Sequence, residues 1–372
     1  MSRNKISIYS PQYNKLASKF FGEYVLGKEK ENVVISPLSI IVLLAIASDA
    51  TDGKTRKEIA NVLRGLLPYE AAMGIISLIQ KELSASGELV LSNAAIVKKS
   101  IENSVNPKYK SRLETKFGGE LFCTSDIVRD VNSWVKEKTK GMIDQIVDDS
   151  MESMLMTLIN AVAFEADWEN EYDEDDIKED EFNNADGIKS TVNMMFSKEH
   201  LYIENEFFTG FLKPYKGGEY SFMALLPKNA RNERIFRRSI ERIDFKGLYD
   251  SAEYNPVYVN MPEYKGEFRT ELAELLMNMG ITNIFSPEAD FSPLSSEWLK
   301  ADSIIHKARI EVNRKGTKAA AATAMFLVAG CAPMGNPKSV RLDRPFVYAI
   351  MHNETGLPVF TGVTNYISGS VM

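Results

Sequence analysis

Residues 316–326 read GTKAAAATAMF. Four consecutive alanines, Ala319 to Ala322, stand between two threonines in a region otherwise rich in bulky side chains. Local propensity favours helix there, because Ala is the best helix former. The run nevertheless leads into LVAGCAPMGNP, residues 327–337, which reads as an irregular loop. As a strand, the segment would alternate its side chains between two faces. Thr317, Ala319, Ala321 and Thr323 then share an uncharged face suited to an interior, and Lys318, Ala320, Ala322 and Ala324 share the other. Small side chains lower the steric barrier to threading between strands, so the segment suits a loop in one state and a sheet strand in another. Gly316 to Gly330, extended, spans roughly 46 Å at about 3.3 Å per residue. A globule of this length is about 54 Å across, so such a strand would cross most of it. The plainer alternative is an alanine-rich surface helix or linker.

The rest of the chain is ordinary for a folded protein. It has 372 residues, 44% hydrophobic and 26% charged. A formal net charge of −7 disfavours a nucleic-acid surface. Two cysteines, Cys123 and Cys331, make no disulfide framework and read as free thiols. No run of 18 apolar residues suggests a membrane span. The first residues, MSRNKISIYSPQYNK, contain no apolar leader core. As written, the chain reads as cytoplasmic, or as extracellular if a leader has been removed.

Periodicity gives the elements. Tyr13, Leu16, Ala17, Phe20, Phe21 and Tyr24 mark one face of a helix. In NVVISPLSIIVLLAIASDATDG, residues 32–53, a short strand precedes Ser36 as N-cap and Pro37 at the first helical position. The helix that follows is apolar all round and therefore buried. Residues 55–63 suggest another helix, 88–99 a strand, 131–147 a helix broken at Gly141, and 157–168 a long strand buried at its start. Residues 165–181 carry eleven acids and one lysine, which reads as a solvated surface loop. The end of the chain reads as two strands around a turn at Asn353 to Gly356. Strands in runs, without strict alternation with helices, indicate an α+β fold, and no composition break divides the chain into domains.

Motifs for catalysis are missing. GKT at Gly53–Thr55 lacks the earlier glycine of a phosphate loop, since Ser48 stands there. The histidines, His200, His306 and His352, form no metal pair. There is no nucleophile elbow, and Cys331 lies in no familiar protease context. The acidic stretch lacks the glycine and spacing of a calcium loop. The basic stretch 228–243 interleaves Glu233 and Glu241, as a salt-bridged surface helix does. No metal and no cofactor are expected.

The chain resembles the serpin family along almost its whole length. NVVISPLSI, DATDGKTRKEI, VNSWVKEKTKGMIDQIV, TLINAVAFEADWE, VNMMF, LKPYKGGEYSFMALLP, VNMPEY, ADFSPLS, IIHKARIEVNRKGTKAAAATA and RPFVYAIMHNETGLPVFTGVT fall in family order at serpin-like spacing. The resemblance implies a single domain of three β-sheets and about nine helices, with a reactive-centre loop at about 314–340. It also implies a suicide-substrate mechanism. A protease acylates itself on the loop, the loop inserts as a new strand in the large sheet, and the protease is trapped; loop insertion and stored strain are known serpin properties. The nucleophile belongs to the protease, so the inhibitor is not an enzyme.

Carried over by position, Gly316 and Thr317 match the hinge where insertion starts. Ala319, Ala320, Ala321 and Ala322 match the small-residue stretch of inhibitory members. Arg314 and Lys318 stand where inhibitory members usually carry Glu, and both are expected at solvent or at the hinge edge. Ser36, Ser39, Asn160 and His306 match the polar cluster of the shutter under the large sheet. Trp168 matches the tryptophan of the breach, at the top of that sheet. Counting from the hinge puts the scissile bond at Gly330–Cys331, and counting back from Pro345 and Phe346 puts it at Met334–Gly335. Residues 326–335 contain no Lys or Arg, which disfavours trypsin-like targets. Elastase-like or subtilisin-like serine proteases fit better, with cysteine proteases also open. The expected state is a monomer capable of loop-sheet polymerisation. The alternative is a non-inhibitory serpin acting as a binding or chaperone protein.

Overall fold

The computed structural model describes residues 3–28, 31–63, 69–85, 87–229, 233–317 and 338–368. Lys318, Ala319 to Ala322 and both candidate bonds, Gly330–Cys331 and Met334–Gly335, lie outside the described residues. In chain order the helices are α1 (Arg3–Val25), α2 (Pro37–Asp49), α3 (Gly53–Leu63), α4 (Tyr69–Leu83), α5 (Pro107–Phe117), α6 (Ile127–Lys138), α7 (Glu233–Glu241), α8 (Phe245–Asp250) and α9 (Ala273–Asn278). The strands are β1 (Val33–Ile35), β2 (Leu89–Lys98), β3 (Glu120–Thr124), β4 (Met156–Phe164), β5 (Ala166–Asp167), β6 (Ile177–Asn183), β7 (Lys189–Glu204), β8 (Phe208–Pro214), β9 (Tyr220–Pro227), β10 (Glu253–Pro262), β11 (Tyr264–Glu271), β12 (Ser303–Val312), β13 (Gly316–Thr317), β14 (Lys338–Arg341), β15 (Phe346–His352) and β16 (Leu357–Thr364). Among the described residues, no helix is long and apolar enough to cross a membrane.

Contacts gather the chain into two compact units. The first comprises Met1–Leu16, Ile35–Ala163 and Glu267–Arg309, and the second Ala17–Val34, Phe164–Gly266 and Ile310–Met372.

In the first unit, Ser36 caps α2 by accepting from the Ser39 amide, with Pro37 in the first turn. Every side chain from Pro37 to Ser48 is buried, as expected of a helix apolar all round. Strands β2, β4 and β12 present an apolar face to α6. Ile127, Val131, Trp134 and Val135 pack there with Ala94, Ile96, Ile159 and Ile305. Strand β12 pairs with β4 in parallel, from Ser303 opposite Thr157 to Arg309 opposite Ala163. The helix expected over 131–147 stops at Lys138. Lys140 and Gly141 adopt left-handed backbone, φ 52° and 76°, which no α-helix continues through. The Thr139 hydroxyl bridges the break, donating to the Val135 carbonyl and accepting from the Ile143 amide.

In the second unit, the strand order is β1-β16-β15-β9-β8-β7-β10-β14, with β6 also on β7. The sixteen-residue β7 serves two sheets. Residues 194–202 pair with β10, and residues 201–204 pair with β8. Divided at β7, these strands make two sheets, and with the β2-β4-β12 sheet they give the three expected. The acidic stretch is not all loop. Residues 177–183 form β6 against β7, with Phe182 buried.

Candidate functional site

Gly316 and Thr317, expected at the hinge, form part of a sheet. After β12 the chain turns at Asn313 to Lys315, and Gly316–Thr317 returns as β13. Thr317 pairs with Val312 of β12 and with Ala166 of β5, and Gly316 pairs with Asp167. No other residue fits at 316, because a Cβ there would lie 2.2 Å from the Ala166 carbonyl oxygen and 2.6 Å from the Asp167 Cα.

Each amide and carbonyl of the turn is satisfied by a partner. The Trp168 indole N–H donates to the Asn313 carbonyl at 2.9 Å. The Tyr172 amide donates to the Arg314 carbonyl, the Trp168 amide to the Lys315 carbonyl and the Asn313 amide to the Gly316 carbonyl. Asn313 Oδ1 accepts from the Lys315 and Gly316 amides. Glu263 Oε1 accepts from the Arg314 amide at 3.2 Å and from its Nε at 3.3 Å. Arg314 thus does more than reach solvent. Its side chain is 38% exposed and holds a carboxylate that also binds Asn193.

Beneath the turn lies a buried polar column that sequence reasoning reached only at Thr317 and Trp168. Thr317 is fully buried, and its Oγ1 lies 2.7 Å from the Tyr215 hydroxyl. The Tyr215 ring stacks on Trp168, with centroids 4.5 Å apart. Lys213 Nζ stands 5.4 Å from the Trp168 ring centre and 4.4 Å from that of Tyr172. It donates to Glu199 Oε1 at 2.9 Å and to the Asn170 carbonyl at 3.1 Å. The ion pair is buried, with side chains 2% and 8% exposed. Fourteen residues separate Lys213 from Glu199, and no short-range pattern marks such a pair.

The shutter residues lie within the first unit. His306 faces Asn160 across the β12–β4 ladder. Its Nδ1 lies 2.7 Å from Asn160 Oδ1, and its Nε2 accepts from the Ser36 amide at 3.1 Å. An Nε2 that accepts requires the neutral ring with its proton on Nδ1, donated to Asn160. Complete burial favours the same form and pushes the His306 pKa down to about 3. Asn160 Nδ2 in turn donates to Asn93 Oδ1 at 2.8 Å. Asn93 was not anticipated; its signal is an amide on the buried stretch of β2, where a polar side chain needs a partner. Ser36 takes part through its backbone amide, while its hydroxyl caps α2. Ser39 gives its amide to that cap, and its own buried hydroxyl has no partner among the described residues.

These residues assemble no nucleophile with a base. They hold a strand end in one place and close a strand pair in another, which is mechanical work. Among the described residues, no three His, Cys, Asp or Glu side chains group as a metal site.

Comparison with known proteins agrees with this geometry. The family model described as Serpin (serine protease inhibitor) matches residues 11–366. Glia-derived nexin of Homo sapiens is 29% identical over 371 residues, covering 93% of this chain and 90% of that protein. A serpin-like protein of Thermococcus kodakarensis is 29% identical, covering 95% of this chain and 85% of that one. The crystal structure of tengpin, a thermophilic serpin, in the native state superposes with a TM-score of 0.84 at 34% identity, covering 96% and 94% of the two chains. With a family model matching residues 11–366, almost its whole length, the chain belongs to the serpin family.

Proposed function

We propose that this serpin is an inhibitor that traps a serine protease as a covalent acyl complex, acting as one domain with a reactive-centre loop at about 314–340. The observation that carries the reading is β13. Gly316 and Thr317 are seated between β5 and the end of β12, and the next residues in sequence are the small ones, Ala319 to Ala322. Insertion therefore begins from a strand already started. To continue, the loop must part β4 from β12, breaking the His306–Asn160 hydrogen bond and the ladder from Ser303 to Arg309. In this account, Ser36, Asn160, His306 and Asn93 set the resistance to opening, and Trp168, Tyr215 and Glu263 hold the starting point.

The scissile bond is Gly330–Cys331, or in the longer count Met334–Gly335. The absence of Lys and Arg from residues 326–335 points to elastase-like or subtilisin-like targets. Incubation with a panel of such proteases, read on a denaturing gel and by intact mass, tests the reading. A band at the summed mass, with release of a peptide beginning at Cys331 or Gly335, is expected. Clean cleavage with every protease still active would replace this reading with a non-inhibitory binding or chaperone role.

A further inference from the structure

Lys213 is the most deeply buried lysine or arginine among the described residues, at 2% exposed. A cation held out of water needs a reason, because burial penalises its charge. Its surroundings supply one. The chain from Ala166 to Tyr172 runs as a strap inside the second unit. One side of the strap carries the turn. Asp167 and Ala166 pair with Gly316 and Thr317, the Trp168 amide donates to the Lys315 carbonyl, and the Tyr172 amide donates to the Arg314 carbonyl. The other side lies against the end of β8. The Lys216 amide donates to the Asp167 carbonyl at 2.8 Å, Trp168 pairs with Tyr215, and the Glu169 amide donates to the Pro214 carbonyl at 3.1 Å.

Beyond that ladder, Lys213 takes hold of the strap. Its Nζ donates to the Asn170 carbonyl at 3.1 Å and lies 4.4 Å from the ring centre of Tyr172 and 5.4 Å from that of Trp168. Trp168 and Tyr172 are the two strap residues that hydrogen-bond the turn. Glu199 anchors the cation from below. Its Oε1 accepts from Lys213 at 2.9 Å and from the Ser197 hydroxyl at 2.7 Å, and the Ser197 oxygen lies 3.3 Å from the Tyr172 hydroxyl. An apolar pair of similar volume would fill the same space without the cost of burying two charges. It could not donate to the Asn170 carbonyl or set a cation against the two rings. Stability alone therefore does not account for the pair.

We propose that Lys213 is a positioning residue for trapping, which acts through Asn170, Trp168 and Tyr172 to hold the strap where β13 can start an inserted strand. The inference rests on the inhibitory reading. In that reading, insertion competes with hydrolysis of the acyl bond, so a misplaced start shows as more inhibitor cleaved per protease trapped. The double variant Lys213→Met/Glu199→Leu removes both charges and the bond to Asn170. Against each protease of the panel it should consume about tenfold more inhibitor per protease trapped. Its urea unfolding should match the wild type closely, and its Trp168 indole proton should exchange with solvent about tenfold faster. Glu199→Asp keeps both charges but draws Lys213 Nζ away from Asn170. It should consume about threefold more inhibitor, and it decides the matter if the double variant does not fold. Unchanged consumption and exchange in a folded variant overturn the assignment and leave the inhibitory reading intact. Consumption that rises only in step with lost stability gives Lys213 a structural role and also overturns it. No covalent complex from the wild type with any protease removes the inhibitory reading and this assignment with it.

Discussion

The hinge and the shutter restrain the chain by opposite means. At the hinge, charge is abundant. A buried Lys213–Glu199 pair underlies Trp168, and Arg314 meets Glu263 at the turn. At the shutter there is no charge at all. A neutral imidazole links two strands and a helix N-terminus through hydrogen bonds of 2.7 and 3.1 Å. In the proposed mechanism that turn keeps its place while the loop moves, so charge can fix it. In that mechanism β4 and β12 part and close again around a new strand, and an uncharged hydrogen-bonded pair can change partners without stranding a buried ion.

The largest expected effect separates the two regions. Gly316→Val places side-chain atoms where the Ala166 carbonyl and Asp167 stand, so β13 cannot form. Trapping should fail, with the chain cleaved as a substrate, while amide exchange at Asn160 and His306 stays as in the wild type. Loss of protection at both places would show that the regions are not distinct.

Next comes the buried pair. Lys213→Met leaves Glu199 buried and unpaired, which should cost about 3–5 kcal/mol of stability by chemical denaturation. The double variant Lys213→Met/Glu199→Leu should recover most of that loss. A double variant as unstable as the single one would mean that the pair's charge is not what matters.

The shutter carries the pH dependence. His306 is neutral in the fold with a pKa of about 3, against about 6.5 when unfolded. The unfolded chain therefore binds the extra proton between these values. The contribution of His306 is complete above about pH 6.5 and declines as pH falls toward 3, at up to about 1.4 kcal/mol per unit. Urea unfolding at pH 7.5 and 5.5 should show a smaller difference in His306→Gln than in the wild type. Equal differences would remove His306 as the sensitive group.

The smallest effect belongs to the exposed pair. Arg314→Glu should lower stability by under about 1 kcal/mol, since Arg314 is more than a third exposed. Arg314→Glu/Glu263→Arg should restore it, and the rate of trapping with it. Failure of the swapped pair to restore either would mean that the amide contact to Glu263, not the charge, holds the turn.

Much of this was legible in the sequence, for identifiable reasons. The buried helix α2 announced itself by its cap and its unbroken apolar run, and β4 by its hydrophobic length. In residues 131–147 Gly141 marked the break, and it does adopt left-handed backbone, but apolar spacing beyond it suggested a helix that does not resume, and Lys140, also left-handed, leaves no trace in composition. The acidic stretch hid β6 because an edge strand needs only one buried side chain, Phe182, to keep its register. Serpin-like spacing singled out His306, Asn160 and Trp168, and the structure places all three in buried hydrogen bonds. Asn93, Tyr215, Lys213 and Glu263 stayed hidden because each acts through a partner that folding alone brings near.

If β13 is the first step of an insertion between β4 and β12, cleavage of the loop should let the strand complete itself, and thermal unfolding of the cleaved chain reads this out. An inserted strand would add roughly a dozen ladder hydrogen bonds at about 1 kcal/mol each, on the order of 10 kcal/mol in all. The cleaved chain should unfold at a far higher temperature than the intact one. An unchanged unfolding temperature after clean cleavage would contradict it.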